Sequence, residues 1–139
     1  NDSFSVHASQ LLTLPDTARK LQSVFEDTGS AHAAAAFSSD CQVTTLREDI
    51  GRHNAMDKLI GAITPERGDG SLRLGVFVSG RASFELLQKT AMAGFPLFAA
   101  VGAPSSLAVE LAEEFEITLV GFMREDKFNI YNRPDRVQF

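Results

Sequence analysis

The stretch "LRLGVFVSGRASFELLQKTAMAGFPLFAAVG", residues 72–102, decides the fold class. It begins with an apolar run of strand length, continues with a helical pattern over residues 81–94, and ends with a second apolar run. Residues 104–115 then repeat the helical pattern, and residues 117–123 add a third apolar run. Strands that alternate with helices in this way are typical of parallel β–α–β units. The sequence therefore predicts an α/β fold built on a parallel sheet.

The residues before this stretch predict further elements that make the sheet mixed. Two strands, over residues 32–37 and 41–48, are joined by a short polar turn and are expected to pair with each other. The alanine run in residues 32–37 also favours a helix by propensity, so a helix is the alternative to the strand that we predict there. Helices are predicted over residues 14–29 and from about 52 to 64, the second on apolar residues spaced by three and four.

Two polar segments are expected to lie at the surface. Residues 65–71, "PERGDGS", combine a proline with glycines and charges and predict a loop. The tail over residues 133–139 is expected to be short and peripheral. All of these elements fit a single domain over residues 1–139. Because the chain begins at Asn1 without a methionine, we expect it to be a fragment of a longer protein.

Composition limits the classes of function. With 44% hydrophobic and 22% charged residues, the chain belongs with globular domains. Its net charge of −5 argues against a basic nucleic-acid-binding surface. No apolar run approaches the roughly 18 residues of a membrane-spanning helix, so no membrane partner is expected. Cys41 is the single cysteine, which excludes an internal disulfide and fits a cytoplasmic location.

Four polar segments are predicted to meet at one edge of the sheet, which we call the rim: residues 49–54, 79–83, 102–106 and 123–129. In α/β sheets, ligands bind beyond the carboxyl ends of the strands, where helix N-termini also gather. Four cations fall on this rim, namely Arg52, Arg81, Arg124 and Lys127. Arg52 lies where a helix begins, so its charge opposes the helix dipole there. A group of cations in an acidic protein predicts an anion pocket, most naturally for phosphate groups.

Small residues on the rim favour the same interpretation. Gly51, Gly80 and Gly102 allow tight turns or a close approach of backbone to a ligand. Ser105 and Ser106 place hydroxyl groups beside the free N–H groups at the start of a helix.

Structural alternatives exist for each of these residues. Arg52 could pair with Glu48 or Asp49, and Arg81 with Glu85. His53 alone is more often a packed histidine than a ligand-binding one, and the sequence does not decide whether His32 faces the rim or the core. Serines such as Ser105 and Ser106 commonly cap helices, Asp57 and Lys58 fit a solvated helix face, and Cys41 fits a small buried side chain.

Catalytic fingerprints are missing from the sequence. A zinc deaminase needs a histidine-x-glutamate motif and a proline-cysteine-x-x-cysteine motif at helix starts, whereas the matching positions read His53–Asn54–Ala55 and Ser79–Gly80–Arg81. We therefore reject a zinc site. Phosphate-loop, dinucleotide and serine-hydrolase motifs do not occur either. From the residues alone, the chain is an anion-binding α/β domain.

Four long motifs carry a resemblance to a known family: "REDIGRHNAMDKLIG", "VSGRASFELLQKTAMAG", "APSSLAVELAEE" and "LVGFMREDKFNIYNRPDRV". In this order, and with "TGSAHAAAAF" before them, they resemble the FdhD/NarQ family of formate dehydrogenase accessory sulfurtransferases over roughly residues 28–137. The resemblance implies a three-layer α/β/α fold with a mixed, mostly parallel sheet, similar to cytidine deaminases but without zinc.

The resemblance also implies a function. The family carries sulfur as a persulfide from a cysteine desulfurase to the molybdenum bis(molybdopterin guanine dinucleotide) cofactor, before the cofactor enters formate dehydrogenase. The family's cofactor-binding stretch matches Phe122, Met123, Arg124, Glu125, Asp126 and Lys127. Their position on the rim adds Arg52, His53, Gly80, Arg81 and Ser105 as candidate cofactor-binding residues. GDP is a natural surrogate ligand for one half of this phosphate-rich cofactor.

One departure from the family pattern concerns the sulfur-bearing cysteine. In the family it belongs to a cysteine-x-x-cysteine loop upstream, and this chain has no such pair. Cys41 matches a different position, so we assign it no catalytic role and expect this chain to bind the cofactor without transferring sulfur itself. The alternative is a guanine-nucleotide-binding module without transfer chemistry, a decayed relative of the deaminases. The resemblance also allows a homodimer, although no residue of the sequence demonstrates one.

Overall fold

A six-stranded mixed sheet forms the middle layer of the computed structural model, which describes residues 4–22, 32–67, 74–124 and 126–139. Its strands are β2 (His32–Phe37), β3 (Val43–Asp49), β4 (Gly75–Val78), β5 (Leu97–Ala100), β6 (Thr118–Gly121) and β7 (Asn129–Ile130), in the spatial order β3-β2-β4-β5-β6-β7. The central strands β4, β5 and β6 are buried throughout, which explains their continuous apolar runs.

The pairing of the strands confirms a mixed sheet. Its parallel part consists of three neighbouring strands. Strands β4, β5 and β6 pair in parallel, as the alternation of strands and helices predicted. Strand β2 runs antiparallel to both β3 and β4, and β7 runs antiparallel to β6. The parallel strands are therefore the centre of the sheet, and antiparallel strands flank them on both sides.

Three helices cover one face of the sheet: α3 (Arg52–Arg67), α4 (Phe84–Ala93) and α5 (Ser106–Glu114). Their apolar side chains meet those of the strands in one cluster that includes Met56, Leu59, Leu87 and Phe98. Helix α4 begins after Ser83, whose hydroxyl accepts a hydrogen bond from the Leu86 N–H, and it ends at Gly94 in the left-handed conformation. These are the start and stop signals of an ordinary amphipathic helix.

The other face of the sheet carries a second, smaller layer. Helices α1 (Ala8–Leu11) and α2 (Leu14–Leu21) bury their apolar residues against Phe37 and Phe77. Beside them, the short strands β1 (Val6–His7) and β8 (Val137–Gln138) pair in parallel. Helices on both faces of the sheet confirm the three-layer α/β/α arrangement. No helix in the part of the chain that the structure describes is both long and apolar enough to cross a bilayer.

Helix boundaries differ from the predicted ones in two places. Helix α3 continues to Arg67, so the loop prediction for residues 65–71 is wrong for its first three residues; residues 68–71 lie outside the described residues. Proline removes one helical hydrogen bond but fixes φ near the helical value, so a helix can include Pro65 near its end. The helix predicted over residues 14–29 is observed up to Leu21, and residues 23–29 lie outside the described residues.

The C-terminal tail is not peripheral, contrary to the prediction. Arg136 is only 6% exposed, and its Nη1 donates hydrogen bonds to the Pro96 carbonyl at 2.7 Å and the Glu116 carbonyl at 2.6 Å. Val137 pairs with Val6 on the second layer. The tail arginine thus gives the Glu116 carbonyl a donor and adds a second donor to the Pro96 carbonyl, which also accepts the Thr118 N–H. The tail therefore closes the edge of the sheet opposite to the rim.

Candidate functional site

Backbone hydrogen bonds hold two rim segments against each other. The Gly102 N–H donates to the Gly80 carbonyl at 2.9 Å, and the Ala82 N–H donates to the Ala103 carbonyl at 3.2 Å. The Ser105 N–H donates in turn to the Ala82 carbonyl at 3.0 Å. The loops that follow β4 and β5 are thus joined as an extension of the sheet, which confirms that the topology brings these two segments together.

The third part of the rim, residues 122–127, is anchored to the same loops. The Phe122 N–H donates to the Gly102 carbonyl at 3.1 Å, and the Met123 N–H donates to the Ala100 carbonyl at 3.3 Å. Beyond Met123, the Arg124 N–H donates to the Lys127 carbonyl at 2.8 Å. Arg124, Asp126 and Lys127 are exposed, and Glu125 lies outside the described residues.

Phe122 and Met123 point in opposite directions from this anchor. Phe122 has a φ of 55°, in the left-handed region that is uncommon for a bulky residue, and its side chain is 37% exposed. Met123 is 2% exposed and packs in the core of the second layer. The methionine side chain therefore holds the segment in place, while the phenylalanine ring stays available at the surface.

The fourth part of the rim is the loop between β3 and α3. The Asp49 carboxylate accepts a hydrogen bond from the Gly51 N–H at 3.0 Å and pairs with Lys58 Nζ at 2.8 Å. Arg52 follows this loop as the first residue of α3, and its side chain is exposed. The register of β2 with β3 places Asp49 beside His32 at the same edge of the sheet, so this loop also belongs to the rim.

Among the rim cations, three have no acidic partner in the part of the chain that the structure describes. Arg52, Arg81 and Lys127 are exposed and make no ion pair or side-chain hydrogen bond within the described residues. The fourth, Arg124, donates one bond of 3.3 Å to the neighbouring Met123 carbonyl. The alternatives considered from the sequence are therefore wrong for this part of the chain, because Asp49 pairs with Lys58 rather than Arg52, and no bond joins Arg81 to Glu85.

Gly102 allows the rim loops to touch. A Cβ atom at this position would lie 3.0 Å from the Arg81 Cα and 3.0 Å from the Gly80 carbonyl oxygen, closer than ordinary packing allows. Gly80 is less crowded, since its Cβ would lie 3.4 Å from His32 Nδ1. The same contact places half-buried His32 on the rim, which answers a question that the sequence left open. Of the predicted glycines, Gly102 is thus the one whose missing side chain matters most.

His53 lines a groove between α3 and α4. The groove has a volume of about 350 Å³, and Glu85, Gln88, Lys89 and Met92 also line it. Within the described residues, His53 Nε2 is buried and has no hydrogen-bond partner. The structure therefore does not place His53 beside Arg81, and its role in cofactor binding stays a prediction.

Ser105 has the capping role that the alternative interpretation gave it. Its hydroxyl oxygen accepts a hydrogen bond of 3.1 Å from the Ala108 N–H at the start of α5. A cap of this kind satisfies one of the free backbone N–H groups at the start of the helix. Ser106, the first residue of α5, is exposed.

Sequence reasoning missed two polar residues that build the rim. Lys58 was assigned to a solvated helix face, yet it neutralises Asp49 and also donates to the Glu48 carbonyl at 3.2 Å. Ser79 accepts a hydrogen bond from the Ala33 N–H through its hydroxyl oxygen, at 3.0 Å, and so joins β2 to the end of β4. The aspartate just before the predicted helix start was the available signal for the first of these contacts.

Cys41 lies at the other end of β2, in the turn that leads to β3. It is 6% exposed, its φ is 60°, and its N–H donates to the Ser38 carbonyl at 2.8 Å. Burial, with a smaller contribution from the charge of Asp40, raises the pKa of the Cys41 thiol to about 12. A thiol of this kind is almost entirely protonated at neutral pH and is a poor nucleophile.

Comparison with known proteins identifies relatives over nearly the whole chain. The FdhD/NarQ family model matches residues 1–138. The sulfur carrier protein FdhD of Mycolicibacterium paratuberculosis is 53% identical over 136 residues, which is 98% of this chain and 50% of the relative. That of Streptomyces coelicolor is 54% identical over 127 residues, 91% of this chain and 45% of the relative. The chain therefore spans about half the length of these curated relatives.

Solved structures agree with this fold. A formate dehydrogenase accessory protein from Desulfotalea psychrophila superposes with a TM-score of 0.86 at 27% identity, over 97% of this chain and 60% of that one. A guanine deaminase from Nitrosomonas europaea superposes with a TM-score of 0.62 at 12% identity, over 91% of this chain and 82% of that one. The second similarity concerns the fold alone, and it confirms the deaminase-like architecture.

Proposed function

Because the chain belongs to the FdhD/NarQ family, we propose that it is the part of a sulfur carrier protein that binds the guanine dinucleotide of the molybdenum cofactor. In this role it holds the cofactor while sulfur is delivered to it, before the cofactor passes to formate dehydrogenase. The sulfur originates from a cysteine desulfurase. Receiving sulfur from a desulfurase and passing the cofactor to formate dehydrogenase both fit a cytoplasmic protein. The cofactor is the substrate of this carrier.

The observation that carries the proposal is the set of unpaired cations on the rim. Arg52, Arg81 and Lys127 remain exposed without a carboxylate partner in the described part of a protein whose net charge is −5. Because these side chains are exposed and unpaired within the described residues, they are available to bind a negatively charged ligand. A guanidinium binds phosphate through two parallel hydrogen bonds, which is stronger and more directional than a lysine contact.

The remaining rim residues support a nucleotide rather than a bare anion. Phe122 offers a partly exposed aromatic ring on a segment fixed by two backbone hydrogen bonds. Aromatic rings stack on nucleobases, and such contacts contribute roughly 1–3 kcal/mol per base. Gly102 has no side chain, so the loops that follow β4 and β5 can contact each other. A diphosphate over the arginines with its base at Phe122 uses all three features.

The proposal assigns no sulfur chemistry to this chain. A persulfide forms on an accessible thiolate, whereas Cys41 is buried with a pKa of about 12. We therefore expect the sulfur-bearing cysteine to come from another part of the carrier. The chain binds and presents the cofactor, and the transfer step takes place at a thiol supplied beside the rim.

A calorimetric titration of this chain with GDP, and with AMP as the control, tests the proposal. We expect GDP to bind and AMP to bind at least tenfold more weakly, since AMP lacks both the guanine base and the second phosphate. Equal affinity for the two nucleotides would show that the rim recognises phosphate only. If neither binds, cofactor binding by this part of the family is contradicted.

The second candidate is a guanine-nucleotide-binding module without transfer chemistry, and the inert environment of Cys41 is what favours it. The two candidates differ in whether sulfur from a cysteine desulfurase reaches the bound cofactor. Incubation of the carrier with a cysteine desulfurase, radiolabelled cysteine and the loaded cofactor should place labelled sulfur on the cofactor if the first is right. The second predicts unlabelled cofactor under the same conditions.

A further inference from the structure

The carboxylate of Asp49 stabilises the loop that precedes Arg52 through two contacts. Asp49 Oδ1 accepts the Gly51 N–H at 3.0 Å, and Asp49 Oδ2 accepts Lys58 Nζ at 2.8 Å. Lys58 Nζ also donates to the Glu48 carbonyl at 3.2 Å. The end of strand β3, the loop and helix α3 are thus joined through one side chain, and Arg52 is the first residue after the fastened loop.

The same contacts determine which residue pairs with the carboxylate of Asp49, three residues before Arg52. Asp49 is the nearest acidic residue in sequence on the rim, and it would be a natural partner for the guanidinium of Arg52. Lys58 occupies it instead, and the side-chain hydrogen bond from Lys58 is the largest of the effects that hold the pKa of Asp49 below its ordinary value. The carboxylate is therefore ionised at neutral pH but already neutralised.

We propose that the Asp49–Lys58 ion pair is a positioning device that keeps Arg52 free for the phosphate of the bound nucleotide. The pair fixes the loop from which Arg52 extends, and it prevents the rim carboxylate from capturing the arginine. Lys58 thus acts through Arg52 and need not touch the ligand. This inference rests on the proposed nucleotide site, and Asp49 and Lys58 lie outside residues 122–127, the stretch to which the family resemblance assigned cofactor binding.

A double-mutant cycle between Lys58 and Arg52 tests the proposal, with GDP affinity as the readout. Lys58→Met leaves the Asp49 carboxylate without its partner, so Asp49 can pair with Arg52, and we expect GDP to bind roughly three- to tenfold more weakly. In a chain that already carries Arg52→Ala, the same Lys58→Met change should alter GDP affinity by less than about twofold, because additivity fails only where residues act through each other.

Two controls separate this role from general electrostatics and from folding. Lys20→Met removes another helix lysine that is paired with an aspartate, at 3.0 Å on α2 and outside the rim, and it should leave GDP affinity unchanged. Lys58→Arg keeps both the charge and the pairing, so it should bind GDP as the unmodified chain does. Urea unfolding of each variant confirms that the fold is intact.

Three outcomes would overturn the inference, and they differ from one another. If Lys58→Met leaves GDP affinity unchanged, the pair does not position Arg52. An equal loss with and without Arg52 would mean that Lys58 attracts the nucleotide directly or at long range. If the unmodified chain does not bind GDP, the proposed function fails and this inference fails with it.

Discussion

The two edges of the sheet use arginine in opposite ways. At the amino ends of β5 and β6, Arg133 pairs with Asp135 at 2.8 Å and with Glu116 at 3.2 Å, and Arg136 donates to main-chain carbonyls. At the carboxyl ends, Arg52 and Arg81 extend into solvent without such partners in the described part of the chain. Arginine therefore stabilises the fold at one edge, whereas at the other edge it is exposed and unpaired within the described residues.

This difference separates arginines that stabilise the fold from those that we propose to bind the ligand. Arg136 is buried, and its Nη1 donates to two backbone carbonyls and a hydroxyl group of the protein. Arg52 and Arg81 are exposed, and within the described residues their guanidinium groups make no ion pair or hydrogen bond. Substitution should therefore affect stability at the first edge and ligand binding at the second.

The largest effect is expected for Arg136→Ala. Its removal takes a donor from the Glu116 carbonyl and the Thr118 hydroxyl oxygen, and it leaves the Pro96 carbonyl with the Thr118 N–H alone. Since an unsatisfied buried polar group costs about 1–3 kcal/mol, the free energy of unfolding should fall by roughly 3 kcal/mol in urea denaturation. Arg81→Ala, the control, should change it by less than about 0.5 kcal/mol. Equal losses at both positions would remove the distinction between the two edges.

Gly102→Ala should have the next largest effect. The new methyl group would lie 3.0 Å from the Arg81 Cα and the Gly80 carbonyl, so the two rim loops must separate. We expect a loss of roughly 1–3 kcal/mol in unfolding free energy, together with weaker GDP binding. Gly61→Ala is the matched control, because open space surrounds Gly61 on α3, and it should stabilise the protein by roughly 0.5–1 kcal/mol. Similar results for both variants would contradict the close packing of the rim.

Asp135→Asn should produce a smaller, pH-dependent effect at the structural edge. The hydrogen bond from Arg133 holds the pKa of Asp135 at about 2, below its ordinary value of 3.8. Because the folded pKa is the lower one, this carboxylate adds stability above about pH 4 and loses it as the pH falls towards 2. Urea unfolding at pH 7, 4 and 2 should show Asp135→Asn to be less stable only at the higher values. A difference in stability as large at pH 2 as at pH 7 would rule out the ion pair as its cause.

Cys41→Ser should have the smallest effect on the site. Cys41 lies at the end of β2 that is away from the rim, so GDP affinity should stay within about twofold of the original, as expected for a distant and independent position. A thiol reagent should also leave the folded protein unmodified at neutral pH, since the thiol is buried and protonated. A large loss of GDP binding would place Cys41 in the site and reopen its role.

The strand and helix order of the domain was predictable from the sequence, because buried parallel strands and amphipathic helices leave clear hydrophobic patterns. The strands that were missed, such as β1 and β8, contain two residues each and are too short to show any periodicity. The role of Arg136 was not visible either, since its acceptors are backbone carbonyls distant in sequence, and these exist at every position of every chain.

For the site, topology predicted more than individual residues did. The rule that ligands bind at the carboxyl ends of strands correctly brought the loops after β4 and β5 together. This rule could not predict which side chains of the rim segments point towards the same site. Arg52 and His53 are neighbours in sequence, but successive residues of a helix point about 100° apart. His53 accordingly lines the groove beside α4, whereas Arg52 is exposed where α3 begins.

The most direct test of the account is the GDP affinity of Arg52→Ala and Arg81→Ala, measured by calorimetry beside the unmodified chain. Lys20→Ala serves as the control, because it removes the same charge from α2, outside the rim. We expect each arginine variant to lose roughly 1–3 kcal/mol of binding free energy, the scale of a hydrogen bond to a charged group, with unfolding unchanged. If both variants bind GDP as tightly as the unmodified chain and the control, the rim is not the nucleotide site.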